Sequence, residues 1–168
     1  WADAAWLGAR IGNPALAERL EASGVMRDRK IAWGLVAAVE AWAHAGCDGG
    51  DREASLVLAL GLEQALLEDF GPIFDRSSAG SSIAWDREMA AGHAGARFRT
   101  PVDVCARAVH EQLGLRGPIV VNASACAAGA LAVAHAASLI ERGAASIVVC
   151  GAADSMVNPL GLGGMCRL

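Results

Sequence analysis

The chain has 168 residues, enough for about one domain with a real core and not obviously enough for two. It is 54% apolar and only 19% charged, with a positive mean hydropathy, which excludes a disordered chain and points to a surface held partly against something else. A net charge of −4 with no dense Lys/Arg block argues against nucleic acid as the main partner.

Asn13-Pro14 reads as a helix start, with Asn as the cap, Pro at the first helical position and Gly24 as the end. Asp28 caps a longer second helix, predicted to about His44 and closed by Gly46. Its apolar face (Ile31, Leu35, Val39, Trp42) follows helical spacing, which assigns Trp42 to the core. Residues 54–60 read as a buried strand ending at Gly61, and 63–70 as a short helix. Residues 71–99 are rich in Gly and Ser and carry Arg76, Arg87, Arg97 and Arg99. So long an irregular connection is often a functional loop or an interface. Thr100-Pro101 starts a third helix, with Asp103 in its first turn and its end at Gly114. Residues 118–123 read as a strand turning directly into an Ala-rich helix, which runs to Arg142 and stops at Gly143. Residues 146–150 form another buried strand, followed by Gly151-Ala152-Ala153-Asp154.

Helices alternating with short, continuously apolar strands predict an α/β fold, with a parallel or mixed sheet covered on both faces. The uncharged run 118–134 contains Pro118, Asn122, Ser124 and Gly129 and splits into a strand and a helix, so it is read as core and not as a membrane span.

The cysteines, Cys47, Cys105, Cys126, Cys150 and Cys166, are odd in number and widely spread. They show no C-x-x-C or Cys/His spacing for zinc, and reduced thiols in a cytoplasm are the simplest account. Cys126 stands out within Asn122-Ala123-Ser124-Ala125-Cys126-Ala127-Ala128-Gly129. The pattern places it at the first turn of a helix, where the positive dipole end favours a thiolate, among neighbours small enough to admit a substrate. Its backbone N–H is placed to bind a developing oxyanion, as at other strand-to-helix nucleophile turns. A buried, inert thiol fits the same spacing. No histidine reads as the base for Cys126. His135 follows by nine residues on the same helix and points about 180° away at ~100° per residue. His110 and His44 lie near helix ends, and His93 lies in the irregular connection. Lys30 is the single lysine, and no function is drawn from it.

Five motifs in order carry a family resemblance: Leu113-Gly114-Leu115-Arg116-Gly117-Pro118, then 122–129, then Leu139-Ile140-Glu141-Arg142-Gly143, then 148–154, then Pro159-Leu160-Gly161. The series resembles the β-ketoacyl synthases, the thiolase-fold condensing enzymes, whose T/S-A-C-x-x-G nucleophile turn is matched by Ser124-Ala125-Cys126-Ala127-Ala128-Gly129. The match is dense over 113–168 and looser over 30–48 and 56–62. It implies that residues 1–168 form part of the N-terminal half of a thiolase-like layered fold, a mixed five-stranded-type sheet with helices on both faces. The chain starts at Trp1 without methionine and ends at Leu168 after a Gly/Pro-rich stretch, and it reads as a fragment. The family's first strand, its H-G-T-x-T and N-x-x-x-G-H motifs and a catalytic lysine are absent from it, and Gly151-Ala152-Ala153-Asp154 stands where the family has G-G-A-E.

The resemblance implies that Cys126 takes an acyl group from the phosphopantetheine arm of an acyl carrier protein, with no cofactor or metal of its own. A malonyl-carrier thioester then decarboxylates and condenses with that acyl group, in fatty acid or polyketide synthesis. That second stage needs the two absent histidines. It also implies a homodimer or a heterodimer of the same fold, in which 119–123 is an edge strand needing a partner. The arginines of 71–99 would meet an acidic carrier, or line a solvated loop. Thiolase is the near rival, but its motif has Asn three residues before Cys and Asn122 is four before. A chain-length-factor-like subunit replaces the nucleophile, which is present here. An inert interaction domain or truncated gene product is the rival from another class. A nucleotide binder lacks support, since no G-x-G-x-x-G or P-loop follows a strand.

Overall fold

The computed structural model describes residues 2–47, 53–61, 102–157 and 159–167, with Pro159 and Leu160 described by backbone alone. The helix expected at 63–70, the connection 71–99 with its arginines and His93, and the Thr100-Pro101 start lie outside the described residues.

The elements run α1 (Ala4–Ile11), α2 (Pro14–Ala22), a 3-10 turn (Val25–Arg27), α3 (Arg29–His44), β1 (Ser55–Leu60), α4 (Val104–Gln112), β2 (Ile119–Asn122), a second 3-10 turn (Ala125–Ala127), α5 (Ala128–Glu141), β3 (Val148–Ala153) and α6 (Pro159–Met165). Asn13 caps α2 with Pro14 at its first position, and Asp28 caps α3, both as the sequence indicates. Helix α1 is not predicted by the sequence pattern. Eight residues are too few to hold a helix alone, and it forms because Leu7 and Ile11 enter the core. Gln112 of α4 fastens its end: Gln112 Nε2 donates to the Ile11 carbonyl at 2.8 Å, and its Oε1 accepts from Asn13 Nδ2, the cap of α2, at 3.0 Å. Asp103 is the residue before α4, not within its first turn, and its carboxylate pairs with Arg107 at 3.2 Å instead of capping the helix.

The described sheet is three-stranded and wholly parallel, in the order β2-β1-β3. It is smaller than the five-stranded mixed sheet expected. β1 explains the layering. All six of its residues are buried, and they alternate between two cores. Leu56, Leu58 and Leu60 face α3 and α4, whereas Val57 and Ala59 face Ala128 and Ala132 of α5. Helices therefore cover both faces, the arrangement that a continuously apolar parallel strand requires. Fully burying each of Leu7, Leu16, Ile31, Leu35 and Leu56 contributes roughly 1.5–3 kcal/mol. Trp42 packs against this core, as its helical spacing predicts.

Gly117 leads into β2 where no side chain fits: a Cβ there would lie 2.5 Å from the Ala54 carbonyl oxygen. His110, in the last turn of α4, donates from Nε2 to the Gly117 carbonyl at 2.9 Å and holds the same crossing. β3 runs from Val148 to Ala153, not over 146–150. Its limits are set by pairing with β1, from Ser55↔Val148 to Leu60↔Ala153, which draws Gly151-Ala152-Ala153 into the ladder despite their weak strand propensity. It is also less buried than expected, with Cys150 and Ala152 exposed, because it is an edge strand of the described sheet.

α5 buries its small residues, Ala128, Ala132 and Ala136, at four-residue spacing against the sheet. Its large apolar residues Leu131, Val133 and Ile140 are exposed. Gly143 follows the helix with φ 67°, the left-handed stop the sequence predicts. Among the described residues no helix is long and apolar enough to cross a membrane.

Candidate functional site

β2 ends at Asn122, and the four residues after it make the turn that carries Cys126. The Asn122 side chain organises that turn. Its Oδ1 accepts from the Ser124 N–H at 2.9 Å and from Ser124 Oγ at 2.5 Å, while its Nδ2 donates to the Ala128 carbonyl at 3.4 Å. Ala125 then takes φ +48°, and among the described residues it is the one non-glycine with positive φ. That conformation costs an L-residue about 1–2 kcal/mol, and such strain gathers at functional turns.

Cys126 follows directly. It lies in the 3-10 turn Ala125–Ala127, not in the first turn of the α-helix as the sequence pattern suggests, because Asn122 and the left-handed Ala125 hold the chain in a tighter turn before α5 begins. The turn's own bonds, from the Ala127 N–H to the Ser124 carbonyl at 3.3 Å and from the Ala128 N–H to the Ala125 carbonyl, do not use the Cys126 N–H. No side chain caps the N-terminus of α5. The thiol is free and exposed, unlike the buried thiol that the same spacing also allows.

Cys126 opens into a cavity of about 490 Å³. The carboxyl ends of all three parallel strands build it: Ala59 and Leu60 of β1 with Gly61 after it, Ala123 after β2, and Ala152 and Ala153 of β3 with Asp154 after it. Crevices at the carboxyl ends of parallel strands are where α/β sheets bind ligands. Met156 and Met165 complete an apolar lining in which, among the described residues, Asp154 is the one charged residue. Asp154 also accepts from the Met156 N–H at 2.6 Å through Oδ1.

Among the described residues no histidine lines this cavity. His110 is committed to Gly117, and His135 and His44 are exposed on their helices. Among the described residues no group of His, Cys, Asp and Glu could hold a metal ion. Sequence reasoning passed over Asn122 as an organiser, although Asn-x-Ser after a strand is an Asx-turn signal. It also passed over Met156 and Met165, whose approach to Cys126 no sequence pattern announces. Cys105, by contrast, is deeply buried, with its Sγ 3.5 Å from the Lys30 carbonyl. Burial, reinforced by the Asp28 carboxylate, pushes its thiol up to about 12, which makes it inert.

A parallel sheet covered on both faces, with a cysteine turn at its carboxyl edge, defines an α/β domain with a candidate nucleophile at its strand ends. The sequence profile of the family "Beta-ketoacyl synthase, N-terminal domain" matches residues 18–168, and the chain belongs to that family. It is 30% identical over 153 residues, 88% of its length, to a protein of Streptomyces cyaneus described as a polyketide beta-ketoacyl synthase. It is also 30% identical over 138 residues, 79% of its length, to the tetracenomycin polyketide synthase ketoacyl synthase alpha subunit of Streptomyces glaucescens. The match covers 33% of the first relative and 31% of the second, so the chain spans about a third of the length of these relatives.

Proposed function

We propose that this chain supplies the acyl-accepting cysteine of a polyketide condensing enzyme. The observation that carries the reading is the exposed Cys126 thiol, set by a left-handed turn at the mouth of an apolar cavity built from three strand ends. The names of the relatives support polyketide over fatty acid synthesis.

In the first stage the Cys126 thiolate attacks the carbonyl carbon of an acyl thioester on an acyl carrier protein. The Cys126 N–H, unused within its turn, stabilises the oxyanion of the tetrahedral intermediate. Collapse breaks the donor's C–S bond and the carrier leaves as a thiolate, which takes from solvent the proton that Cys126 released on ionising, giving an acyl-enzyme and a free carrier thiol. In the second stage a malonyl thioester loses carbon dioxide, and its carbanion attacks the acyl carbonyl and expels the Cys126 thiolate. Stabilising that carbanion is the task of the two family histidines, whose motifs do not occur in these 168 residues. The segment alone is therefore at most an acyl acceptor.

The exposed Leu131, Val133 and Ile140 on α5 and the half-open β2 edge at Ile119 support a larger assembly, with a second chain of the same fold against the edge strand. Incubation with an acyl thioester followed by intact-mass spectrometry tests the first stage. One acyl adduct is expected, mapping to Cys126 and lost in Cys126→Ala. An adduct elsewhere, or none on the full-length protein, sinks the reading. Condensation product from the isolated segment would refute the assignment of the second stage to residues outside it.

A further inference from the structure

The acylation chemistry above leaves a buried polar cluster unused. Asp28 and Lys30 are each only 3% exposed, and Ser155 is 8% exposed. Asp28 Oδ1 accepts from the Lys30 N–H at 3.2 Å and from Ser155 Oγ at 2.9 Å, while Oδ2 pairs with Lys30 Nζ.

Capping α3 does not require this burial. Asp3 caps α1 from an exposed position, accepting from the Trp6 N–H at 2.8 Å. Taking both charges of a pair out of water is costly, and in some proteins such a pair is kept because it fixes conformation. What Asp28 holds is Ser155, 127 residues further along the chain. Ser155 belongs to residues 154–157, the link from β3 to α6, and its neighbours Asp154 and Met156 both wall the cavity that Cys126 opens into. The far side of the link is clamped too: a Cβ on Gly161 would lie 2.2 Å from the Met156 carbonyl oxygen. The link is thus hydrogen-bonded at Ser155 and closely packed at Met156.

We propose that Asp28, neutralised by Lys30, is a positioning residue that acts through Ser155 to hold the Asp154–Met156 wall of the acyl cavity. The proposal rests on the acyl-accepting role of Cys126 for its functional consequence, but not for its structural one. Loss of the hydroxyl should loosen the wall and weaken acyl-chain binding while leaving the thiol itself unchanged.

The test compares wild type, Ser155→Ala and Ser155→Thr in the full-length protein. Acylation of Cys126 is followed with the hexanoyl thioester of N-acetylcysteamine, alkylation with iodoacetamide, and peptide hydrogen exchange over 154–157. In Ser155→Ala the half-saturating thioester concentration should rise about fivefold, as loss of the hydrogen bond to Asp28 implies, at a maximal rate within about twofold of wild type. Exchange over 154–157 should quicken by a similar factor, alkylation of Cys126 should not change, and Ser155→Thr should restore both affected readouts. Unchanged exchange over 154–157 in Ser155→Ala overturns the proposal. So does a parallel fall in acylation and alkylation, or a threonine variant indistinguishable from alanine. Absence of acylation in wild type would instead defeat the reading of Cys126, with the exchange data still deciding whether Asp28 holds the wall.

Discussion

Replacing Ala125 with glycine is expected to stabilise the protein and slow the proposed acylation of Cys126. Ala125 holds φ +48° immediately before Cys126. A Cβ in that region costs about 1–2 kcal/mol, and the extra chain entropy of glycine offsets about 0.5–1 kcal/mol of the relief, leaving a net gain of about 0.5–1 kcal/mol. Urea denaturation of the full-length protein reads this as a higher midpoint at unchanged slope. Ala125→Val should shift the midpoint the other way, because a β-branched residue fits the left-handed region worst. The same glycine loosens the turn at its midpoint, between the Ser124 and Ala128 groups that Asn122 holds, so the thiol should spend less time facing the cavity and the maximal rate of the proposed acylation should fall. A loss of stability in Ala125→Gly would falsify the left-handed assignment. A rate that rises with stability would contradict the role of the strained turn in aiming Cys126.

Two further outcomes follow from the same packing. Cys105 titrates near 9.0 when unfolded and is pushed up to about 12 by burial, so the folded state binds the extra proton between those values. Stability is therefore full below about pH 9 and declines as pH rises towards 12, with a slope of up to ~1.4 kcal/mol per pH unit from this group. Cys105→Ala should remove that part of the slope, and iodoacetamide should modify Cys126 in the native protein while sparing Cys105 until unfolding. At the crossing before β2, Gly117→Ala forces a Cβ to within 2.5 Å of the Ala54 carbonyl oxygen, and backbone cannot yield as a side chain would. A loss of about 1–3 kcal/mol in chemical denaturation is expected, the usual scale for overpacking.

Much of the scaffold was legible because its signals are local. The Asn13 and Asp28 caps, the stop at Gly143 and the continuously apolar β1 each depend on a few adjacent residues, and each lies where the pattern places it. Elements that borrow stability from elsewhere were harder to read. α1 depends on burial of Leu7 and Ile11, and the limits of β3 depend on pairing with β1. The site divides in the same way. Cys126 was visible through its small neighbours and its place after a strand, whereas its 3-10 turn depends on the Asn122 side chain folding back.

The sequence by itself determined that an α/β domain ends a strand in a cysteine turn, because periodicity, caps and glycine stops act over a few residues. Only the tertiary structure decided what surrounds that cysteine. Parallel pairing brings three strand ends, from residues far apart in the chain, to one cavity of about 490 Å³. It also carries Ser155 to a buried carboxylate at Asp28. No local pattern encodes that contact, because it exists only once the charge of Lys30 and the closing of the core make a buried Asp28 tolerable.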